Sequence, residues 1–245
     1  METFRNTTIK SIVTSDYRAA AVFEKYSLDF CCKGGITVDQ ACSERNVDSA
    51  LVYADLTQLA KESRGDGPQF SEWPMDELID HIVNVHHRYV LEAIPPVFAH
   101  TRKVAAVHGN HHPEVVAIAR QFETVAGDLT GHMMKEEQML FPYIKALVKA
   151  KRERISFTPP PFGTAQNPIR MMEAEHRAAG DELFAIRSLS DNYVPPEDAC
   201  TTYRVSFKEL QQFEQDLHQH VHLENNILFP KAIALEQELM ASLSV

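Results

Sequence analysis

Apolar residues recur at spacings of three and four through MDELIDHIVNVHHRYVLEAI (75–94), PEVVAIARQFETVAGDL (113–129), PIRMMEAEHRAAGDELFAI (168–186) and TYRVSFKELQQFEQDLHQHV (202–221). That period predicts four long amphipathic helices and little strand. The breaks between them are legible in GNHHP (109–113), ISFTPPPFGTAQNP (155–168) and SDNYVPPED (190–198), where Gly, Pro, Asn and Asp gather. Connections of this length favour an up-down-up-down bundle. Upstream, Thr37 and Gln40 form a capping-box pattern at the head of TVDQACSERN, and a second helical run extends from Asp48 to Lys61. SRGDGPQFSEWP (63–74), with two Gly and two Pro, interrupts the pattern. The expected organisation is all-α: a small helical module over 1–65, a linker over 66–74 and a four-helix bundle over 75–245.

Composition narrows the function classes. With 245 residues, 44% of them hydrophobic, the chain can bury a sizeable core without disulfides. A formal charge of −10 and the lack of any basic block argue against nucleic acid or an anionic membrane surface as partner. Met1 is followed by the polar stretch ETFRNTTIK, and no run of about 18 apolar residues occurs, so a cytoplasmic protein is expected. The Cys at 31, 32, 42 and 200 lack zinc-knuckle or disulfide-framework spacing and are expected as reduced thiols, Cys42 and Cys200 as buried or incidental ones.

The candidate chemistry lies in a repeat. His132 to Pro142 reads HMMKEEQMLFP, and His220 to Pro230 reads HVHLENNILFP. Residues four apart share a helix face, so His132 with Glu136 and His220 with Glu224 each present an imidazole beside a carboxylate. One such pair is weak evidence, because surface helices offer it often. The conjunction is stronger, since His87, His132, His176 and His220 recur at intervals of 45, 44 and 44 residues. In an antiparallel bundle that interval brings one His per helix to one level of the core.

Imidazole and carboxylate without thiolate suit iron or manganese better than a structural zinc tetrahedron. Glu136 and Glu224 are suited to bridge two ions, the general plan of dinuclear carboxylate sites in bundles. With five His and two bridging Glu the chain would supply nine donor atoms, leaving one position open on a six-coordinate pair sharing an oxo or hydroxo bridge. Helical periodicity slightly prefers His86 over His87, and the fifth His is open among His100, His108, His111 and His112. His108 could join His87 only if the chain turned, at Pro95 and Pro96 or after them, because 21 straight helical residues span about 31 Å. His81, His218 and His222 fall off the inward direction. Leu140 with Phe141 and Leu228 with Phe229 read as packing, and Pro142 and Pro230 as kinks where an N–H is missing.

Nearly the whole chain resembles the Repair of Iron Centres proteins, hemerythrin-like di-iron proteins that bacteria make under nitrosative and oxidative stress. The resemblance rests on DFCC with nearby glycines, DHI followed by His87, KVAAVH ending at His108, HMMKEEQMLFP, MEAEH ending at His176, and HVHLENNILFP. It implies two iron ions held by His87, His108, His132, Glu136, His176, His220 and Glu224, and thus His87 in place of His86. It also implies damaged iron-sulfur proteins as partners and nitric oxide or oxygen as small ligand. Lys33 departs from the pattern, separating the thiols from the glycines in CCKGG.

Adjacent Cys31 and Cys32 form only a strained disulfide, so they are expected as a thiol pair that binds a metal ion or nitrosyl or exchanges with a partner. Asp128 and Glu175 are candidates for outer contacts or a polar path to the metals. No catalytic residue distinct from the metal centre is expected. The resemblance leaves open nitric oxide reduction or iron donation, with a homodimer allowed. The rival readings are a hemerythrin-like module that holds oxygen or senses iron without turnover, and a bundle whose histidines are only polar core residues.

Overall fold

The computed structural model describes residues 4–62, 68–158 and 160–242. Among them the regular structure is helical, apart from one isolated bridge between Thr8 and Thr37. Four short helices come first: α1 (Ile9–Ser15), α2 (Ala19–Lys25), α3 (Val38–Arg45) and α4 (Ser49–Lys61). The capping box forms as its residues dictate. Thr37 Oγ1 accepts from the Gln40 N–H while Gln40 Oε1 accepts from the Thr37 N–H at 2.9 Å, so two orphan donors are satisfied. Asn46, in the left-handed region at φ 55°, ends α3, and Asp48 caps α4 through the Ala50 N–H.

Four antiparallel rods follow. The first joins α5 (Met75–His81) through a π-helical turn (Ile82–His87) to α6 (Arg88–His108). The second joins α7 (Glu114–Lys135) through a π-turn (Glu136–Leu140) to α8 (Phe141–Glu153). The third is α9 (Gln166–Leu189), and the fourth joins α10 (Thr201–His222) through a π-turn (Leu223–Leu228) to α11 (Phe229–Ser242).

The π-turns change how Pro142 and Pro230 are understood. The Phe141 N–H reaches back five residues to the Glu136 carbonyl, and the Phe229 N–H to that of Glu224. Each proline then stands second in a fresh α-segment, where no intrahelical donor is required. The Leu-Phe-Pro endings therefore mark helix restarts after an inserted residue. At Pro95 and Pro96, by contrast, α6 continues without turning back.

The core falls into two apolar clusters. The lower includes Leu78, Ile82, Leu140, Ile144, Leu147, Ile169, Leu223 and Leu228; the upper includes Val90, Phe122, Leu129, Leu183, Phe213 and Leu217. His87, His132, His176 and His220 lie between them in sequence, one on each rod. Ile9, Ile12, Phe23, Phe30, Val52 and Leu56 of the first four helices belong to the same continuous cluster as the upper bundle core. The expected linker falls partly outside the described residues, at positions 66 and 67. Its remainder is packed: Phe70 is buried, and Lys231 Nζ donates to the Ser71 and Trp73 carbonyls.

The turn carrying Cys31 and Cys32 depends on one glycine. A Cβ on Gly34 would stand 2.4 Å from the Phe30 carbonyl oxygen, while one on Gly35 would meet nothing within 4 Å. Gly34→Ala must therefore move backbone and is expected to destabilise the protein by about 1–3 kcal/mol, as overpacking does. Gly35→Ala should stay within about 0.5 kcal/mol of the parent. Denaturant unfolding of the two variants checks this, and equal midpoints would contradict the close approach.

Candidate metal centre

Four rods each bring one imidazole to the level between the apolar clusters. His87, His132, His176 and His220 are all buried, and Glu136 and Glu224 are 0% exposed. Their ligand atoms fall into two groups, each with all atoms within 4.8 Å of one another: His87, Glu136, His220 and Glu224, and His132, Glu136, His176 and Glu224. Both carboxylates are shared by both groups. Glu136 Oε2 lies 3.4 Å from His87 Nε2 and Oε1 lies 3.4 Å from His132 Nε2. Glu224 Oε1 lies 3.1 Å from His220 Nε2 and Oε2 lies 3.0 Å from His176 Nε2.

The outer nitrogens decide what the inner ones offer. His87 Nδ1 meets Glu137 Oε1 at 2.7 Å, His132 Nδ1 meets Glu175 Oε2 at 2.7 Å, and His176 Nδ1 meets Asn225 Oδ1 at 2.9 Å. Each partner presents an acceptor oxygen, so each Nδ1 carries its proton and donates. In the neutral ring Nε2 is then left with a lone pair facing inward. His132 Nε2 and His176 Nε2 lie 2.9 Å apart, and His87 Nε2 and His220 Nε2 lie 3.2 Å apart. Lone pairs converging on lone pairs and carboxylates need positive charge between them.

The carboxylates make the same demand. Both Glu136 oxygens and Glu224 Oε2 are buried without a hydrogen bond of acceptable alignment. Protein groups alone would have to balance these charges with protons on the imidazoles. Burial opposes charge on His87, yet Glu136 and Glu224 overcome it and raise its pKa to about 10. His132, also opposed by burial, is raised to about 9, chiefly by Glu136. His220 is lowered by burial. Two cations in the two groups would replace those protons and satisfy every inward atom, so the donor set fits a dinuclear metal site.

Other candidates lie elsewhere. His108, implied as a ligand, does not join the cluster: α6 continues as one helix through Pro95 and Pro96 and carries it 21 residues beyond His87, to the start of α10. There its Nε2 lies 3.2 Å from Cys200 Sγ, and its ring rests on Tyr203. His86, favoured by periodicity, is buried but turned away, with Nδ1 3.0 Å from Asp216 and its ring stacked on His220. The π-turn explains the difference, because one inserted residue rotates the following positions by about 100° relative to an unbroken helix. His222 is buried against Tyr17 and Phe30, and His218 meets Glu24 Oε1 at 3.2 Å; both face the first four helices.

Glu175 contacts both His132 and Lys135, and these partners pull its pKa down against burial. Among the described residues Asp128 makes no hydrogen bond or ion pair to a proposed ligand. It lines, with Gly131, Lys135, Glu175 and Glu182, a cleft of about 590 Å³ between α7 and α9. Cys31 and Cys32 sit in a turn held by Asp29, whose Oδ1 accepts from both their N–H groups, at 3.0 and 2.8 Å; the sulfurs lie 3.7 Å apart. The residues that sequence reasoning missed are Glu137 and Asn225. Aligning the two repeats offers the signal, since each directly follows a shared glutamate.

Comparison with known proteins agrees with this geometry. The hemerythrin HHE cation binding domain matches residues 78–232, and a domain of unknown function, DUF542, matches residues 5–60. The iron-sulfur cluster repair protein YtfE of Enterobacter sp. (strain 638) is 35% identical over 236 residues, covering 95% of this chain and 99% of that protein. The same-named protein of Escherichia coli O8 (strain IAI1) is 33% identical over 236 residues, covering 95% and 99%. The probable iron-sulfur cluster repair protein of Haemophilus influenzae (strain ATCC 51907 / DSM 11121 / KW20 / Rd) is 32% identical over 231 residues, covering 94% and 98%. A buried His and Glu ligand set on a four-helix bundle, preceded by the double-cysteine module, coincides with matches spanning nearly the full length: the chain belongs to the hemerythrin-like family of iron-sulfur cluster repair proteins.

Proposed function

We propose that this chain holds two iron ions between Glu136 and Glu224 and serves the repair of iron-sulfur clusters damaged by nitric oxide or peroxide. The observation that carries the reading is the sharing of both buried carboxylates by both ligand groups. The names of the relatives support the repair role, and the thiolate-free His and Glu set supports iron. Without His108, four imidazoles and two bidentate carboxylates give eight donor atoms. Iron there would supply electrons and sites for a small ligand such as nitric oxide or oxygen. The chain's own groups hold three of the four imidazoles, His87, His132 and His176, by their Nδ1 protons and exclude water with apolar layers on both sides.

The cleft beside His132 favours iron donation over nitric oxide coupling. Asp128, Glu175 and Glu182 outnumber Lys135, which pairs with Glu175, among its charged groups, and Glu175 reaches from it to a ligand, an arrangement suited to passing a ferrous cation as cargo. Cys31 and Cys32, with Asp29, form a third group whose ligand atoms lie within 4.8 Å, and we assign them as a thiol site for a metal ion or a partner thiol. The hydrogen bond with Cys32, together with burial, pushes the Cys31 thiol up, so it stays protonated until a metal displaces the proton.

Iron-loaded protein, incubated without oxygen with a nitric-oxide-treated iron-sulfur dehydratase, is expected to restore its activity. Glu136→Ala combined with Glu224→Ala should abolish both iron content and recovery; recovery undiminished in that variant would leave a carrier or purely structural role. For the cleft, Glu175→Ala removes the acceptor of His132 and should weaken iron binding about 10–100-fold. Asp128→Asn should slow iron transfer to a chelator while leaving iron content intact. Identical transfer rates for Asp128→Asn and the parent would reject the cleft as the route.

A further inference from the structure

Asn225 stands between the metal site and the double-cysteine turn, and both of its polar atoms are engaged. Oδ1 accepts from His176 Nδ1 at 2.9 Å, and Nδ2 donates to the Cys31 carbonyl at 3.1 Å. Turned over, the amide would set its oxygen against that carbonyl, two acceptors with no proton between them. The Cys31 carbonyl therefore fixes the amide. The amide, presenting oxygen, fixes the proton on His176 Nδ1 and so leaves the Nε2 lone pair facing Glu224.

The repeat shows why this position carries an amide. Glu137, at the same place after Glu136, accepts from His87 Nδ1 at 2.7 Å, and a carboxylate needs to do no more there. It has no donor with which to hold a backbone carbonyl as well. Asn225 has both functions. Its neighbour Asn226 fastens the same turn, donating from Nδ2 to the Phe30 carbonyl at 3.1 Å. Cys32 Sγ packs over α9 one turn beyond His176, 3.7 Å from where a Cβ on Gly180 would stand.

We propose that Asn225 is a positioning residue that couples docking of the Cys31–Cys32 turn to the metal-binding tautomer of His176. When the turn is docked, His176 is held with Nε2 free for the metal. When the turn moves to engage a partner or a metal through its thiols, the amide loses the constraint that orients it, and His176 loses its preferred tautomer. Coupling is reciprocal, so a metal ion on His176 should in turn hold the thiol turn in place. The inference rests on the reading of the cluster as a metal centre.

The test uses full-length protein loaded with ferrous iron without oxygen. Release to a colorimetric chelator and peptide-resolved alkylation of Cys31 and Cys32 are measured together. Asn225→Ala should speed iron release about 10–100-fold, the usual cost of losing an outer partner of a metal-bound histidine. Asn225→Asp keeps an acceptor for His176 but repels the Cys31 carbonyl. It should retain iron like the parent while its thiols alkylate several-fold faster, whether or not iron is bound. Asp29→Ala loosens the turn from the module side and should speed iron release in the parent but add nothing in the Asn225→Asp background. An Asn225→Ala variant that releases iron at the parent rate, or an Asp29→Ala effect equal in both backgrounds, overturns the coupling. A parent protein that takes up no ferrous iron overturns the metal reading and this inference with it.

Discussion

Two carboxylates with no exposed surface, Glu136 and Glu224, face each other's ligand groups at the centre of the bundle, and the rest of the site is arranged around their charge. An isolated carboxylate in an apolar core is costly unless it is paired or binds a metal. Here each sits on a π-turn whose inserted residue lets consecutive side chains serve different purposes. Glu136 and Glu224 point inward, while Glu137 and Asn225 reach the outer nitrogens of histidines on other rods. The three bonded Nδ1 groups then offer inward lone pairs. Cations between two shared carboxylates and four imidazoles would satisfy both needs together.

The same constraint explains the division of the core. Apolar clusters above and below the polar layer keep water from competing for the ligands, and the upper one extends into the first four helices. The double-cysteine turn is thus part of the packed body of the protein, against α9 and the Glu224-Asn225-Asn226 segment. The two ends of the site differ accordingly. His132 opens through Glu175 toward an acidic cleft, whereas His176 is backed by Asn225, which is itself held by the Cys31 carbonyl of the thiol turn.

Much of this was legible in the sequence because it obeys regular periods. The four long helices, the Thr37–Gln40 capping box and the convergence of His87, His132, His176 and His220 with Glu136 and Glu224 follow from spacing, helped for His87 by family resemblance. The rest was not legible, for separate physical reasons. A π-turn leaves no periodic mark of its own, so a straight-helix reading turned His86 inward and took Pro142 and Pro230 for kinks. His108 was misplaced for the opposite reason: the resemblance asked α6 to turn, and two prolines within a helix did not make it do so. Glu137 and Asn225 were hidden because they meet histidines 50 and 49 positions away on other rods, whereas Glu175, beside His176, was a candidate from the start.

The most direct measurement is quantified metal content combined with Mössbauer spectra of the protein purified without oxygen, in its reduced and oxidised forms. The account predicts about two iron ions per chain, magnetically coupled through shared carboxylates, the arrangement expected of a bundle-core dinuclear site. A single uncoupled ion, or a chain that retains no iron, would contradict it.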